Sequence, residues 1–233
     1  EGSMKKMKYS FLFAAVVIIT VQSLQAGRPL TIDDAFPAEK GQVEVETGVS
    51  YEYDCDCKHW EIPAGIACGI LPSVEISISA GGQLEERTEA TSNNTESDIS
   101  DIAIGAKWMM VEKCPLGATH ALAPSVNLPV ADEEKGMGSG KTDFDLTWIM
   151  SREITGTMGI HVNAGYSWIG GQDDDVIHYG SAADWKVSDS LQLVAEVFAE
   201  DPVENGIDTV VMYNAGLRFI PNDVIVIDAS AGS

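Results

Sequence analysis

Helical periodicity is nearly absent from this 233-residue chain, and past its first few dozen residues no apolar run approaches the roughly 18 residues a membrane-crossing helix needs. A helical membrane protein is thereby excluded. Basic residues are scarce: 14 Lys and Arg stand against 36 Asp and Glu, a net charge of −22. Such a surface repels nucleic acid, and no basic stripe or aromatic-interleaved basic patch offsets the repulsion. Cysteines are few: Cys55, Cys57, Cys68 and Cys114. Cys55-Asp56-Cys57 is too short for a CxxC redox site, and no second pair stands at zinc-finger spacing, so disulfide pairing is the default and its connectivity stays open. No catalytic, cofactor or metal constellation is expected. Yet mean hydropathy is +0.01 despite the charge, so apolar residues are plentiful and must be arranged in some way other than helices.

The start of the chain accounts for some of them. After a remnant Glu1-Gly2-Ser3 that reads as non-native, Met4-Lys5-Lys6-Met7-Lys8 precedes an apolar stretch from Phe11 to Val21, and Ser23-Leu24-Gln25-Ala26 follows. This is the three-part layout of a secretory signal peptide, residues 1–26, with cleavage expected near Ala26. No cysteine follows that point closely, which excludes a lipid-anchored lipoprotein. Removal takes away three lysines and one glutamate and leaves a net charge of −24. An exported, oxidising compartment is the expected address.

Beyond residue 41 the organising period is two. Gln42 to Asp54 places Val43, Val45, Thr47, Val49, Tyr51 and Tyr53 on one face, with Glu44, Glu46 and Glu52 on the other. Similar segments run from Trp60 to Cys68, Val74 to Glu85, Asp101 to Glu112, Ala121 to Val130, Asp143 to Arg152, Met158 to Trp168, Ile177 to Val187, Leu191 to Glu200, Thr209 to Phe219 and Val224 to Ala231, eleven strands in all. Residues 27–41 read as an N-terminal periplasmic tail or short plug. Short turns (70–73, 113–117, 153–157, 188–190, 221–223) alternate with longer polar connections (86–97, 131–142, 169–176, 201–206). Transmembrane barrels of the bacterial outer membrane have that alternation.

Aromatic residues fall at two levels. Tyr51, Tyr53, Trp60, Tyr166, Trp168 and Tyr179 sit near the outer strand ends, and Trp108, Trp148, Trp185 and Phe219 near the periplasmic ends. Rings with one polar atom favour the headgroup boundary, so these are expected as interface girdles. The apolar phases, such as Ile76, Ile78 and Ala80 or Met158, Ile160 and Val162, would face lipid. The opposite phase is polar and would line a hydrated interior: Glu44, Glu46, Glu52, Glu75, Asp101, Lys107, Asn127, Asp143, Asp145, His161, Asn163, Asp184, Lys186, Glu196 and Arg218. Its acids outnumber its bases, which predicts a narrow, cation-preferring lumen.

The fold expected is therefore all-β, a transmembrane antiparallel up-and-down β-barrel over residues 42–233. Bacterial single-chain barrels have even strand counts, so about twelve strands are expected, with eleven readable and a C-terminal twelfth missing. Gln42 to Asp54 and the last strand would then be open edges.

Gly105-Ala106-Lys107-Trp108, Ser125-Val126-Asn127-Leu128-Pro129, Gly136-Met137-Gly138-Ser139-Gly140-Lys141-Thr142-Asp143-Phe144 and Asn163-Ala164-Gly165-Tyr166, together with Gly69 to Ile76, Gly216-Leu217 and Ile227-Asp228-Ala229, carry a resemblance. The chain resembles the MetA-pathway phenol degradation family of outer-membrane transporter-like proteins over roughly Leu30 to Gly232. Val130-Ala131 departs from its usual small polar residue and glycine. The resemblance implies an outer-membrane channel or transporter for small solutes, hydrophobic or aromatic compounds among them.

Three other patterns carry less. His161, Asn163 and Ser151 share the lumen phase, in the manner of a Ser/His/Asn hydrolase, but point inward and sit at the periplasmic end. Gly136, Gly138 and Gly140 lack the strand-to-helix context of a phosphate loop. Asp173-Asp174-Asp175 reads as a solvated loop tip before it reads as a cation site. The expected partners are outer-membrane lipid and lipopolysaccharide, the barrel-assembly machinery and a small-molecule solute. The competing readings are a structural or adhesive barrel and a soluble periplasmic β-sandwich.

Overall fold

A computed structural model describes residues 12–20, 30–54, 57–88, 93–132, 135, 138, 140–171, 175–204 and 206–233. Among them are β1 (Leu12–Thr20), β2 (Val43–Asp54), β3 (Cys57–Leu71), β4 (Val74–Thr88), β5 (Asn93–Ile99), β6 (Ile102–Val111) and β7 (Thr119–Leu128). β8 (Asp143–Thr155), β9 (Met158–Trp168), β10 (Val176–Ser188), β11 (Leu191–Pro202), β12 (Val210–Phe219) and β13 (Ile225–Gly232) follow. Sequential neighbours pair antiparallel, except that β6 pairs with β4 and not with β5. Because β3 pairs with β4 and β1 with both β13 and β2, twelve of the strands close into a ring. β5 extends that ring at one end: β4 pairs with β6 over Val74–Ser79 and with β5 over Gly82–Thr88.

Two expectations change here. The connection 86–97 is partly a hairpin, with β4 continuing to Thr88 and β5 returning along it. Its residues Asn93–Ile99, NNTESDI, are polar almost throughout. A strand with no apolar face gives no period-two signal. The second change concerns closure. The sequence leaves β2 and β13 as open edges, whereas in the structure β1 lies between them, from Leu12↔Gly232 to Ile19↔Ile225 on one side and from Ala15↔Val49 to Thr20↔Glu44 on the other. A run rich in β-branched residues, VVIIT at its end, suits a strand as well as it suits a signal core.

The disulfide default is also corrected. Cys57, Cys68 and Cys114 are free thiols, and Cys55 lies outside the described residues. Cys57 and Cys68 occupy one strand eleven positions apart, roughly 36 Å at strand rise, far beyond the Cα separation a bridge tolerates.

The ring is apolar outside and polar inside. Ile62, Ile76 and Ile78 are 57%, 47% and 49% exposed, while their strand neighbours turn inward. A soluble sandwich would bury such residues, and this arrangement excludes it. Trp60, Trp108, Trp168, Tyr179, Trp185, Phe219 and Tyr53 are exposed outward. Tyr51 and Trp60 face each other across β2 and β3 with ring centroids 4.5 Å apart, Tyr166 and Trp168 stand 4.8 Å apart, and Trp148 stacks on His120 at 5.5 Å.

Candidate functional site

The barrel interior holds part of its own chain. Residues 30–40 run inside the ring as a plug, bridged at the short-turn end where Lys40 meets Gly69 and Gly41 turns with φ +86° into β2. Gly69 has to be glycine there: a Cβ would stand 2.1 Å from the carbonyl oxygen of Glu39. Ile32, Ala35 and Ala38 are buried. Ile32 packs on Ala182 and Phe198, and Ala35 on Ala121 and Ile149.

The wall grips the plug mostly by its backbone. The Glu196 carboxylate accepts the N–H of Thr31 at 2.9 Å and of Ile32 at 2.8 Å, and Asn214 Nδ2 donates to it at 3.3 Å. Ser151 Oγ accepts Ala35 N–H at 2.8 Å, and Glu75 accepts Ala38 N–H at 2.7 Å. Asn163, in the amide orientation that satisfies both of its groups, takes Asp33 N–H at 2.8 Å and donates to Asp33 O at 2.9 Å. Lys107 Nζ pairs with the Asp33 carboxylate at 2.8 Å and reaches Phe36 O at 3.5 Å. Beside this pair Asp34 lies deep in the lumen while still touching a cavity. Burial pushes its carboxyl up from the ordinary 3.8; Lys107 opposes the shift and Asp33 adds to it.

Two cavities flank the plug. One, of about 420 Å³, opens toward the long loops and is lined by Asp33, Glu75, Lys107, Asn127, Asp145, Asn163, His178, Phe198 and Glu200 among others. Asp145 there accepts from His178 Nε2 at 2.6 Å, Ser167 Oγ at 2.8 Å and Thr147 Oγ1 at 2.7 Å. The other, of about 310 Å³, lies toward the short turns and includes Asp34, Phe36, Ser151, His161, Asp184, Lys186 and Arg218.

The remaining inward residues divide by depth. Glu44 is buried, and Glu46 is half-buried. Asp101 Oδ1 accepts Val130 and Ala131 N–H at 3.0 and 2.9 Å, and Asp143 accepts Gly170 N–H at 2.8 Å, so both hold loops at the rim. Glu52 and Lys186 are exposed, Lys186 pairing with Asp189 at 3.1 Å.

Ser151 and His161 do meet, Oγ to Nδ1 at 2.8 Å, and the third member is Asp184, 3.9 Å from Nε2, in place of Asn163. Ser151 Oγ also accepts Ala35 N–H, so one hydroxyl joins the imidazole to the plug backbone. Ser151 is 1% exposed, and its hydroxyl is taken up by the plug backbone at Ala35. Asp173 and Asp174 lie outside the described residues. Asp175 is engaged by Ile169 N–H at 3.0 Å and Tyr166 OH at 2.7 Å.

No curated protein matches the sequence. Among solved structures, the COG4313 outer membrane channel from Pseudomonas putida F1 is similar with a TM-score of 0.56 at 8% identity, covering 100% of this chain and 99% of that one. At that identity the likeness shows the fold, an outer-membrane-type barrel, and no activity. The CymD monoaromatic hydrocarbon channel follows with a TM-score of 0.45 at 8% identity, covering 96% and 87%, and the Ralstonia pickettii toluene transporter TbuX with 0.41 at 8%, covering 98% and 88%. The family described as Uncharacterised conserved protein UCP029691 matches residues 14–233, and the chain belongs to it.

Proposed function

We propose that the chain is an outer-membrane channel for small solutes whose interior is closed by residues 30–40. The observation that carries this is the interior itself: two cavities separated by one thin segment, inside a ring whose outer face is apolar. A barrel built only to present loops has no need of a removable core. In the proposal lipid and lipopolysaccharide surround the ring, the barrel-assembly machinery inserts it, and residues 1–26 direct export, so that β1 closes the ring only in the unprocessed chain and its removal leaves β2 and β13 facing each other at the seam.

The solute passes an interior where Glu44, Glu75, Asp145, Asp184, Glu196 and Glu200 outnumber Lys107, Arg152, Lys186 and Arg218, so cations are favoured over anions. Phe198 in one cavity and Phe36 in the other each offer an aromatic face, and the sequence resemblance to the phenol degradation family points to small aromatic compounds. Planar-bilayer recording of the full chain tests the reading. Brief openings with cation-biased reversal potentials are expected, made longer by substitutions that unseat the plug. Anion selectivity, or no conductance even with the plug unseated, refutes it.

A further inference from the structure

We infer that the barrel wall is a binding site for a linear peptide, and that residues 30–40 are its tethered occupant. The inference rests on the channel reading for its consequence, blockade, while the site itself stands on geometry.

The wall's polar contacts explain why. Glu196 on β11, Asn163 on β9, Ser151 on β8 and Glu75 on β4 bond main-chain N–H groups of Thr31, Ile32, Asp33, Ala35 and Ala38. These groups exist in every peptide, so their recognition is independent of sequence. Glu196 is 8% exposed and takes two consecutive N–H groups, an arrangement that a hydrocarbon cannot satisfy. A ligand that displaces the plug must bring donors at the same spacing, and a peptide backbone that bends as residues 31–35 do brings all of them at once.

Side chains then read the sequence at three positions. Ile32 enters a pocket formed by Ala182 and Phe198, where Gly180 leaves room: a Cβ there would stand 2.7 Å from Ile32 Cδ1. Asp33 meets Lys107 at 2.8 Å. Ala35, 0% exposed against Ala121 and Ile149, admits nothing larger. The ligand class is therefore a linear peptide with an apolar residue, an acid next to it and a small residue two positions after the acid.

The test uses the full chain carrying Ala35→Arg, whose guanidinium cannot fit against Ala121 and Ile149, with heat-modifiable migration on a gel to check the barrel. A fluorescein-labelled synthetic peptide of residues 30–40 is titrated and read by fluorescence anisotropy. Saturable binding to the variant is expected, with at least tenfold weaker binding to the unsubstituted chain, because a tethered competitor acts at an effective concentration on the order of millimolar. A peptide carrying Asp33→Lys should bind about tenfold more weakly. A second variant lacking residues 30–40 serves if Ala35→Arg does not fold. Absence of binding to a folded variant, or equal binding of a scrambled peptide, overturns the inference. Conductance of the same variants separates the two proposals. Binding without conductance in any variant leaves the site and removes the channel; open channels that the peptide neither binds nor blocks do the reverse.

Discussion

Glu196→Gln should loosen the plug without loosening the barrel. The carboxylate holds Thr31 and Ile32 N–H at 2.9 and 2.8 Å and is almost wholly buried. Hydrogen bonds to a charged acceptor contribute about 1.5–3 kcal/mol each. Glutamine keeps one acceptor oxygen and sets an amide NH₂ against the second backbone N–H, so one bond is lost and a donor faces a donor. The net cost to plug seating is about 2–4 kcal/mol, and at about 1.4 kcal/mol per factor of ten the ratio of unseated to seated plug rises roughly 30- to 1000-fold. Strand pairing is untouched, because β11 keeps its ladder to β10 and β12 through backbone groups. Hydrogen exchange in detergent micelles reads this directly: the amides of Thr31, Ile32, Asp33 and Ala35 should lose protection by that factor while strand amides keep theirs. Unchanged exchange at Thr31 and Ile32 in a folded barrel refutes the assignment of Glu196 as the main anchor.

Lys107→Met removes the cation that faces Asp33 and should release the plug by about 1–3 kcal/mol, whereas adding Asp33→Asn to it should recover part of the loss; additive effects of the two substitutions on exchange would sink the pairing. Plug seating should also follow pH through Asp34. Its carboxyl is raised by burial when seated and ordinary when free, so the seated plug binds the extra proton: its contribution is full below 3.8 and is lost as pH rises through the raised value. Conductance should therefore increase with pH across that window and flatten in Asp34→Asn; a decrease over the same range contradicts the sign. Mass spectrometry of the protein recovered from envelopes should give a chain beginning near residue 27, with amides of Val43–Asp54 and Ile225–Gly232 exchanging faster than those of the other strands, because β1 has left the seam between them. A mass that retains Leu12 makes that run a wall strand and removes the export signal.

The wall was legible from sequence because an apolar outer face and a polar inner face enforce a period of two. Ile76 and Ile78 must face out, so Glu75, Ser77 and Ser79 must face in, and the same phase carries Lys107, Asn163 and Glu196 inward on their own strands. Where that constraint lapses the signal lapses. β5 pairs only with the end of β4 and its sequence is polar almost throughout, so it read as a loop.

The grip on the plug was illegible for a different reason. Its anchors bond to N–H groups that every residue carries, so no side-chain pattern in residues 30–40 announces them; only the acid of Asp33 has a sequence-visible partner in Lys107. Nor could the sequence decide which inward groups meet. A register shift between Glu153 and Thr155 sets Ser151 opposite His161, and the β9–β10 register sets His161 beside Ala182, so that the carboxylate it approaches is that of Asp184. Shifting either pairing by two residues would keep every phase and hydrophobic face intact, yet it would move the Ser151 hydroxyl away from Ala35. The outer surface thus fixes only that these groups point inward, while turn and bulge geometry fix whom they touch.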